Sequence, residues 1–260
     1  MRKLSILLFV IILTVPVERA LAWGQEGHRI VGQIAYNHLS KKAKREVDRV
    51  LGEHGIVYWS TWPDEIKSDT IYPTSYDWHF QDLDGGQSDE AVLRTLTLYP
   101  AMGGNLWRMS DSLTNVLRRD PGNIDALRFV IHLMGDRFCP MHTAHMDDLG
   151  GNKVQVKWFG QTKNLHWVWD EGIIIARGYS YNEYAEFLEN RYAGELENIQ
   201  KMTIEEITLH NYYFCESIYQ YQEHWDGNTY HYVYHFASSC EWQLYAAGIR
   251  LAMLLNEIYG

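Results

Sequence analysis

Cysteine, proline and positive charge are all scarce in this chain. Its 260 residues include 3 Cys and 6 Pro, and 23 Lys and Arg stand against 33 Asp and Glu, a formal charge of −10. Capture of duplex nucleic acid by bulk attraction is thereby disfavoured, because backbone affinity comes from cations that neutralise phosphates. Cys139, Cys215 and Cys240 form no C-x-x-C pair, which argues against a thiolate zinc site. Three thiols cannot all pair within one chain; Cys215 with Cys240 is conceivable, since both fall on expected C-terminal helices. No repeat, low-complexity tract or Pro/Ser-rich linker divides the sequence. Beyond residue 22 no segment has the roughly 20 consecutive apolar residues of a spanning helix, so no membrane contact is expected after processing. No obligate protein partner is evident.

What is present begins with a leader. Arg2 and Lys3 precede an almost unbroken apolar run from Ser5 to Val17, and Ala20-Leu21-Ala22 supplies small residues at −3 and −1. Residues 1–22 therefore read as an export signal cleaved after Ala22, with Trp23 opening the mature chain. The leader carries Arg2, Lys3 and Arg19 against Glu18, so its loss takes the formal charge from −10 to −12. Residues 23–260 suit one domain.

Helical periodicity dominates that domain. Ile30, Ile34, Leu39, Val47, Val50 and Leu51 mark one long first helix ending near Gly52 and Gly55. Residues 68–90, rich in Asp, Gly, Ser and Tyr, read as a long irregular loop. One or two helices are expected over 93–117. Asn123 or Asp125 is placed to cap a helix through Phe129, Val130 and Leu133, and Val154 and Val156 alternate with polar residues ahead of a turn at Phe159-Gly160-Gln161-Thr162. Further helices are expected at 165–176, 181–197, 203–219 and 235–257. The expected fold is mainly α, a single compact multi-helix domain with a minor β-hairpin.

Spacing singles out certain histidines and carboxylates. His132 and Asp136 lie four apart on an expected helix and share a face, as do His166 and Asp170. His142 follows six residues after Asp136, past Cys139-Pro140. Imidazole nitrogen and carboxylate oxygen are zinc donors. A hydrogen-bonded core pair explains either His/Asp pair taken alone; two such pairs in FVIHLMGD and NLHWVWD, where an unpaired charge is costly, favour metal. Asp64 in TWPDEI and His79 in YDWHFQD read equally as cap or core residues. His28 lies five residues after Trp23, whose freed amino group and carbonyl can chelate an ion. His38, His54, His145, His210, His224, His231 and His235 have no comparable context.

WGQEGH directly after the leader, then WPDEI, DWHFQD, FVIHLMGDRFCPMH, DDLGGN and NLHWVWD, resembles the zinc-dependent single-strand nuclease and 3′-nucleotidase family of fungi, plants and bacteria. The blocks run in order from Trp23 to Asp170. The resemblance implies a mainly α fold with three zinc ions in a cleft. Asp64, His79, His132 and Asp136 would hold the first; Trp23, His28 and Asp136 the second, with Asp136 bridging; His142, His166 and Asp170 the third, with positions left open. It further implies that metal-activated hydroxide hydrolyses single-stranded RNA, DNA and 3′-nucleotides to leave 5′-phosphates. Asp64 and Asp136 would be catalytic, Asp84 an outer acid, and Phe80, Asp82 and Asn152 substrate-binding. The lysine expected shortly after Asp84 is missing, since the loop continues Gly85-Gly86-Gln87-Ser88. A zinc phospholipase C is the alternative enzyme, sharing the N-terminal Trp, helical fold and metal set. A zinc-scavenging protein without catalysis is a third reading.

Overall fold

The computed structural model describes residues 23–67, 69–98 and 104–260. The leader and its cleavage site lie outside them. The architecture is mainly α, with one hairpin among the described residues, Gln155–Trp158 and Gln161–Asn164 paired antiparallel, Trp158 opposite Gln161. Phe159 and Gly160 turn it with φ of 45° and 82°, the left-handed pair that a two-residue hairpin turn requires.

At the centre lies the helix Thr229–Tyr259. Its buried residues run consecutively from Gln243 to Ile249, so it meets neighbours on every side. Around it pack Gln25–Asn37, Lys41–Leu51, Ile124–Asp136, Ile173–Arg177, Tyr181–Tyr192 and Leu196–Lys201. Ala246, Ala247 and Gly248 present so little side chain there that backbones can approach closely.

The single long helix expected at the start is two, Gln25–Asn37 and Lys41–Leu51. The break has a cause at each side. Ser40 Oγ accepts from Ala43 N at 3.1 Å, an N-cap. Asn256 of the central helix accepts from Ser40 N at 2.8 Å and donates to His38 O at 3.0 Å. The 93–117 region resolves into Asp89–Leu98 and Leu106–Arg119, while Asn123 caps Ile124–Asp136 through Ala126 N at 3.0 Å. Asn228 caps the central helix, which therefore starts six residues before the expected 235.

The span expected as one helix over 165–176 is instead Leu165–Trp167, a π-helical turn Val168–Gly172, then Ile173–Arg177. Ile173 N bonds five residues back to Val168 O, and Asp170 O accepts from Gly24 N at 2.9 Å. Such turns insert one extra residue and recur at functional sites. Cys139, Cys215 and Cys240 are buried and free, so the conceivable Cys215–Cys240 bridge is not formed.

Candidate metal centre

Six segments converge on one buried polar cluster. Gln25–Asn37 brings His28; the short helix Trp62–Ile66 brings Asp64; His79 follows the 3₁₀ turn Ser75–Trp78. Ile124–Asp136 contributes His132 and Asp136 from one face, the Pro140–Thr143 turn His142, and the turns at 165–172 His166 and Asp170. Backbone bonds lock the segments together. Gln81 N donates to His142 O and Leu83 N to Ala144 O, both at 2.8 Å, tying the His79 strand to the His142 turn. Asn211 Nδ2 donates to Arg137 O at 2.5 Å and is itself held by Gln243, anchoring the end of the His132–Asp136 helix.

Around Asp136 the donor atoms face one another. His79 Nδ1 lies 2.9 Å from His132 Nε2; Asp136 Oδ2 lies 3.1 and 3.2 Å from those nitrogens, and Asp64 Oδ1 3.8 and 3.7 Å. Asp136 Oδ1 turns the other way, 3.3 Å from His28 Nε2 and 3.5 Å from His142 Nδ1. A third group forms where His142 Nε2 approaches Asp170 Oδ1 at 3.5 Å and His166 Nε2 approaches Asp170 Oδ2 at 3.1 Å. Trp23 is fully buried beside them, its indole donating to Gly135 O at 2.8 Å.

Hydrogen bonds alone do not satisfy this cluster. His28 Nδ1 and Nε2, His142 Nδ1 and Nε2, Asp64 Oδ2, His79 Nε2, Asp136 Oδ1 and Asp170 Oδ2 are buried without a well-formed hydrogen bond, and buried polar atoms left so are costly. Zinc bonds to N and O of about 2.0–2.1 Å place tetrahedral donors about 3.3 Å apart. His79 Nδ1 and His132 Nε2, 2.9 Å apart and each 3.1 to 3.8 Å from Asp136 Oδ2 and Asp64 Oδ1, bracket that value. Outer contacts aim the rings: His132 Nδ1 donates to Ser60 O at 2.7 Å and His166 Nδ1 to Gly150 O at 2.6 Å, turning each Nε2 inward. Gly150 and Gly151 sustain φ of 65° and 80° so that this carbonyl reaches His166.

Protonation follows the same pattern. Burial opposes charge on Asp136, but His132 and His142 outweigh it and hold the carboxyl well below its usual range. Asp64 and Asp170 are likewise lowered against burial, by His132 with His79 and by His166 with His142. Burial pushes His28 down to about 4, with His132 adding to the effect, and burial lowers His79. Burial also works against protonation of His132 and His166, yet their carboxylate neighbours raise both. Protons on those two rings compete with a cation for the same lone pairs.

Asp82 is buried at 6 % exposure, and burial pushes its carboxyl up to about 7. It lies behind Gly150: a Cβ there would come 3.1 Å from Asp82 Oδ1 and 3.3 Å from His166 Nδ1. Asn152 Nδ2 donates to Leu149 O and sits 3.2 Å from His166 Nδ1. Phe80 is half-buried, edge-on to Tyr76 at 5.8 Å. Asp84 is not brought into the cluster; it is exposed, with its backbone carbonyl accepting from the Tyr212 hydroxyl.

Two side chains escaped sequence reasoning. Lys67 Nζ lies 3.3 Å from Asp64 Oδ1; the i,i+3 spacing within PDEIK was its signal. Cys139 Sγ donates to Asp170 Oδ1 at 3.2 Å, which nothing in the spacing announces. His145 binds Glu216 at 2.5 Å and stacks on Tyr219, a hydrogen-bonded network apart from the cluster.

A family model described as S1/P1 Nuclease matches residues 23–260. The chain belongs to the S1/P1 nuclease family. As a member it is a hydrolase acting on phosphodiester bonds. The family includes Endonuclease 3 of Arabidopsis thaliana, to which the chain is 29 % identical over 275 residues, covering 96 % of this chain and 93 % of the relative. Nuclease S1 of Aspergillus oryzae is 28 % identical over 65 % of this chain and 62 % of its own length. Nuclease P1 of Penicillium citrinum is 27 % identical over 57 % of each. Among the described residues no helix is long and apolar enough to cross a membrane.

Proposed function

We propose that residues 23–260 form an exported zinc-dependent endonuclease for single-stranded RNA and DNA, also active on 3′-nucleotides, leaving 5′-phosphates. The observation that carries this reading is the placing of His79 Nδ1 and His132 Nε2 within 2.9 Å of each other and within 3.1 to 3.8 Å of both Asp64 Oδ1 and Asp136 Oδ2, with donor atoms lacking hydrogen bonds in the same cluster. Those four residues would hold one ion. Trp23, through its freed amino nitrogen and carbonyl oxygen, His28 and Asp136 would hold a second. His142, His166 and Asp170 would hold a third. Bound there, zinc supplies Lewis acidity, making a nucleophile from water near neutral pH and countering charge on phosphate oxygens.

The remaining work falls to side chains. Asp64 Oδ2, buried and unpartnered, accepts the proton of the attacking water. Lys67 places an ammonium beside Asp64, where it meets a non-bridging phosphate oxygen. Phe80 stacks on the base, Asp82 accepts from base N–H groups, and Asn152 donates to the substrate from the Gly150-Gly151 turn. Duplex bases are already stacked and paired, so this pocket selects single strands. Asp84, exposed on the loop, is given no part in these steps.

Purified residues 23–260 assayed on a single-stranded oligonucleotide, 3′-AMP and phosphatidylcholine test the reading. Zinc-dependent release of 5′-phosphorylated products and of phosphate from 3′-AMP is expected. Turnover of the lipid alone overturns the proposal in favour of a phospholipase C.

A further inference from the structure

Cys139 is a chemically competent group beside the cluster that the proposed hydrolysis leaves unused. It is fully buried, at the turn between the Ile124–Asp136 helix and the Pro140–Thr143 turn. Its sulfur lies 3.2 Å from Asp170 Oδ1, and donor atoms of Cys139, His142 and Asp170 all lie within 4.8 Å of one another. The same space receives His142 Nε2, buried without a hydrogen bond and 3.5 Å from that same Asp170 Oδ1. We propose that Cys139 is a ligand of the third ion, completing a Cys139–His142–His166–Asp170 donor set of one sulfur, two nitrogens and one oxygen.

The distances carry the assignment. Zinc–sulfur and zinc–oxygen bonds of about 2.3 and 2.1 Å at a tetrahedral angle put the two donors about 3.6 Å apart. The observed 3.2 Å closes to that value with a shift of a few tenths of an ångström. His142 Nε2 to Asp170 Oδ1, at 3.5 Å, needs almost none. On binding, the S–H bond breaks, the S–metal bond forms and the proton leaves to solvent; a coordinating thiol is deprotonated outright. Four side chains would then be available to hold the third ion, one more than a histidine and carboxylate set alone would supply. Sulfur also biases the site towards soft cations such as cadmium. Cys215 and Cys240 belong to no such group among the described residues.

This assignment rests on the metal reading of the proposed function, and the test separates the two. Residues 23–260 are stripped of ions and titrated with cobalt(II), following ion stoichiometry and near-ultraviolet absorption. Three ions per chain with a sulfur-to-cobalt charge-transfer band are expected. Cys139→Ser should abolish the band and weaken one ion at least about 10-fold, while Cys215→Ser retains both. Three ions without the band overturn the sulfur ligand alone, leaving Cys139 as a donor to Asp170. The wild-type spectrum decides this point by itself, even if the Cys139 variant fails to fold. A chain that binds no cobalt overturns the metal reading and this assignment together.

Discussion

Asp136→Asn changes almost nothing in shape and removes the charge on which two donor sets depend. The carboxylate is fully buried, with Oδ2 at 3.1 and 3.2 Å from His79 and His132 and Oδ1 at 3.3 and 3.5 Å from His28 and His142. In the variant an amide N–H₂ must face imidazole nitrogens on one side, and neither flanking set keeps its anionic bridge. An ion present at about 100 times its dissociation constant stabilises the fold by about 2.7 kcal/mol, so losing two costs about 5 kcal/mol. At about 2–4 °C per kcal/mol for a domain of this size, the variant should melt about 10–20 °C below wild type in the same zinc buffer. Bound zinc should fall from three ions to one. Hydrolysis of a single-stranded oligonucleotide should drop at least about 1000-fold, roughly 4 kcal/mol of lost transition-state stabilisation. Elemental analysis, thermal melts and oligonucleotide turnover read all three effects. A variant that keeps three ions and melts with wild type refutes the bridging role.

Retaining Ala22 ahead of Trp23 should remove one of three bound ions and depress activity, read by elemental analysis of matched preparations; equal zinc content contradicts chelation by the freed terminus. Phe80→Ala should raise KM for single-stranded oligonucleotide by about 5- to 150-fold, the worth of one stacked base, with KM unchanged as the contrary result. Gly104→Ala should act on the same pocket and lower Tm, because φ is +105° and a Cβ would come 2.1 Å from Phe80 O; a wild-type melt would falsify that packing. The chelator-treated protein should lose stability on acidification through His28. Burial takes that ring from 6.5 to about 4, so the unfolded chain binds its proton first as pH falls. The contribution is complete above about pH 6.5 and is lost by about pH 4, about 3 kcal/mol that His28→Gln should not lose. Parallel urea melts across that range decide it.

Local chemistry made much of this fold legible before any coordinates. The i,i+4 pairs His132/Asp136 and His166/Asp170 each bring a nitrogen and an oxygen to 3.2 and 3.1 Å, the first from one face of an α-helix and the second across the π turn. Asn123 and the Phe159-Gly160 turn act where their side-chain and backbone preferences place them. What stayed hidden was set by distant partners. The helix break at His38–Ser40 is fixed by Asn256, more than 200 residues away, as well as by the Ser40 cap. Within the π turn, Asp170 O accepts from Gly24 N, a partner far back in the sequence. Cys139 looked inert because a search for paired thiols overlooks a single sulfur delivered into a histidine and carboxylate set. Asp84, an outer acid on the family resemblance alone, is exposed just after Leu83.

The most direct test is an anomalous difference map from crystals of residues 23–260, collected on both sides of the zinc absorption edge. Three peaks are predicted, one among Asp64, His79, His132 and Asp136, one at Trp23, His28 and Asp136, and one at His142, His166 and Asp170. A map without peaks there, with these side chains bonded to one another or to water, contradicts the account.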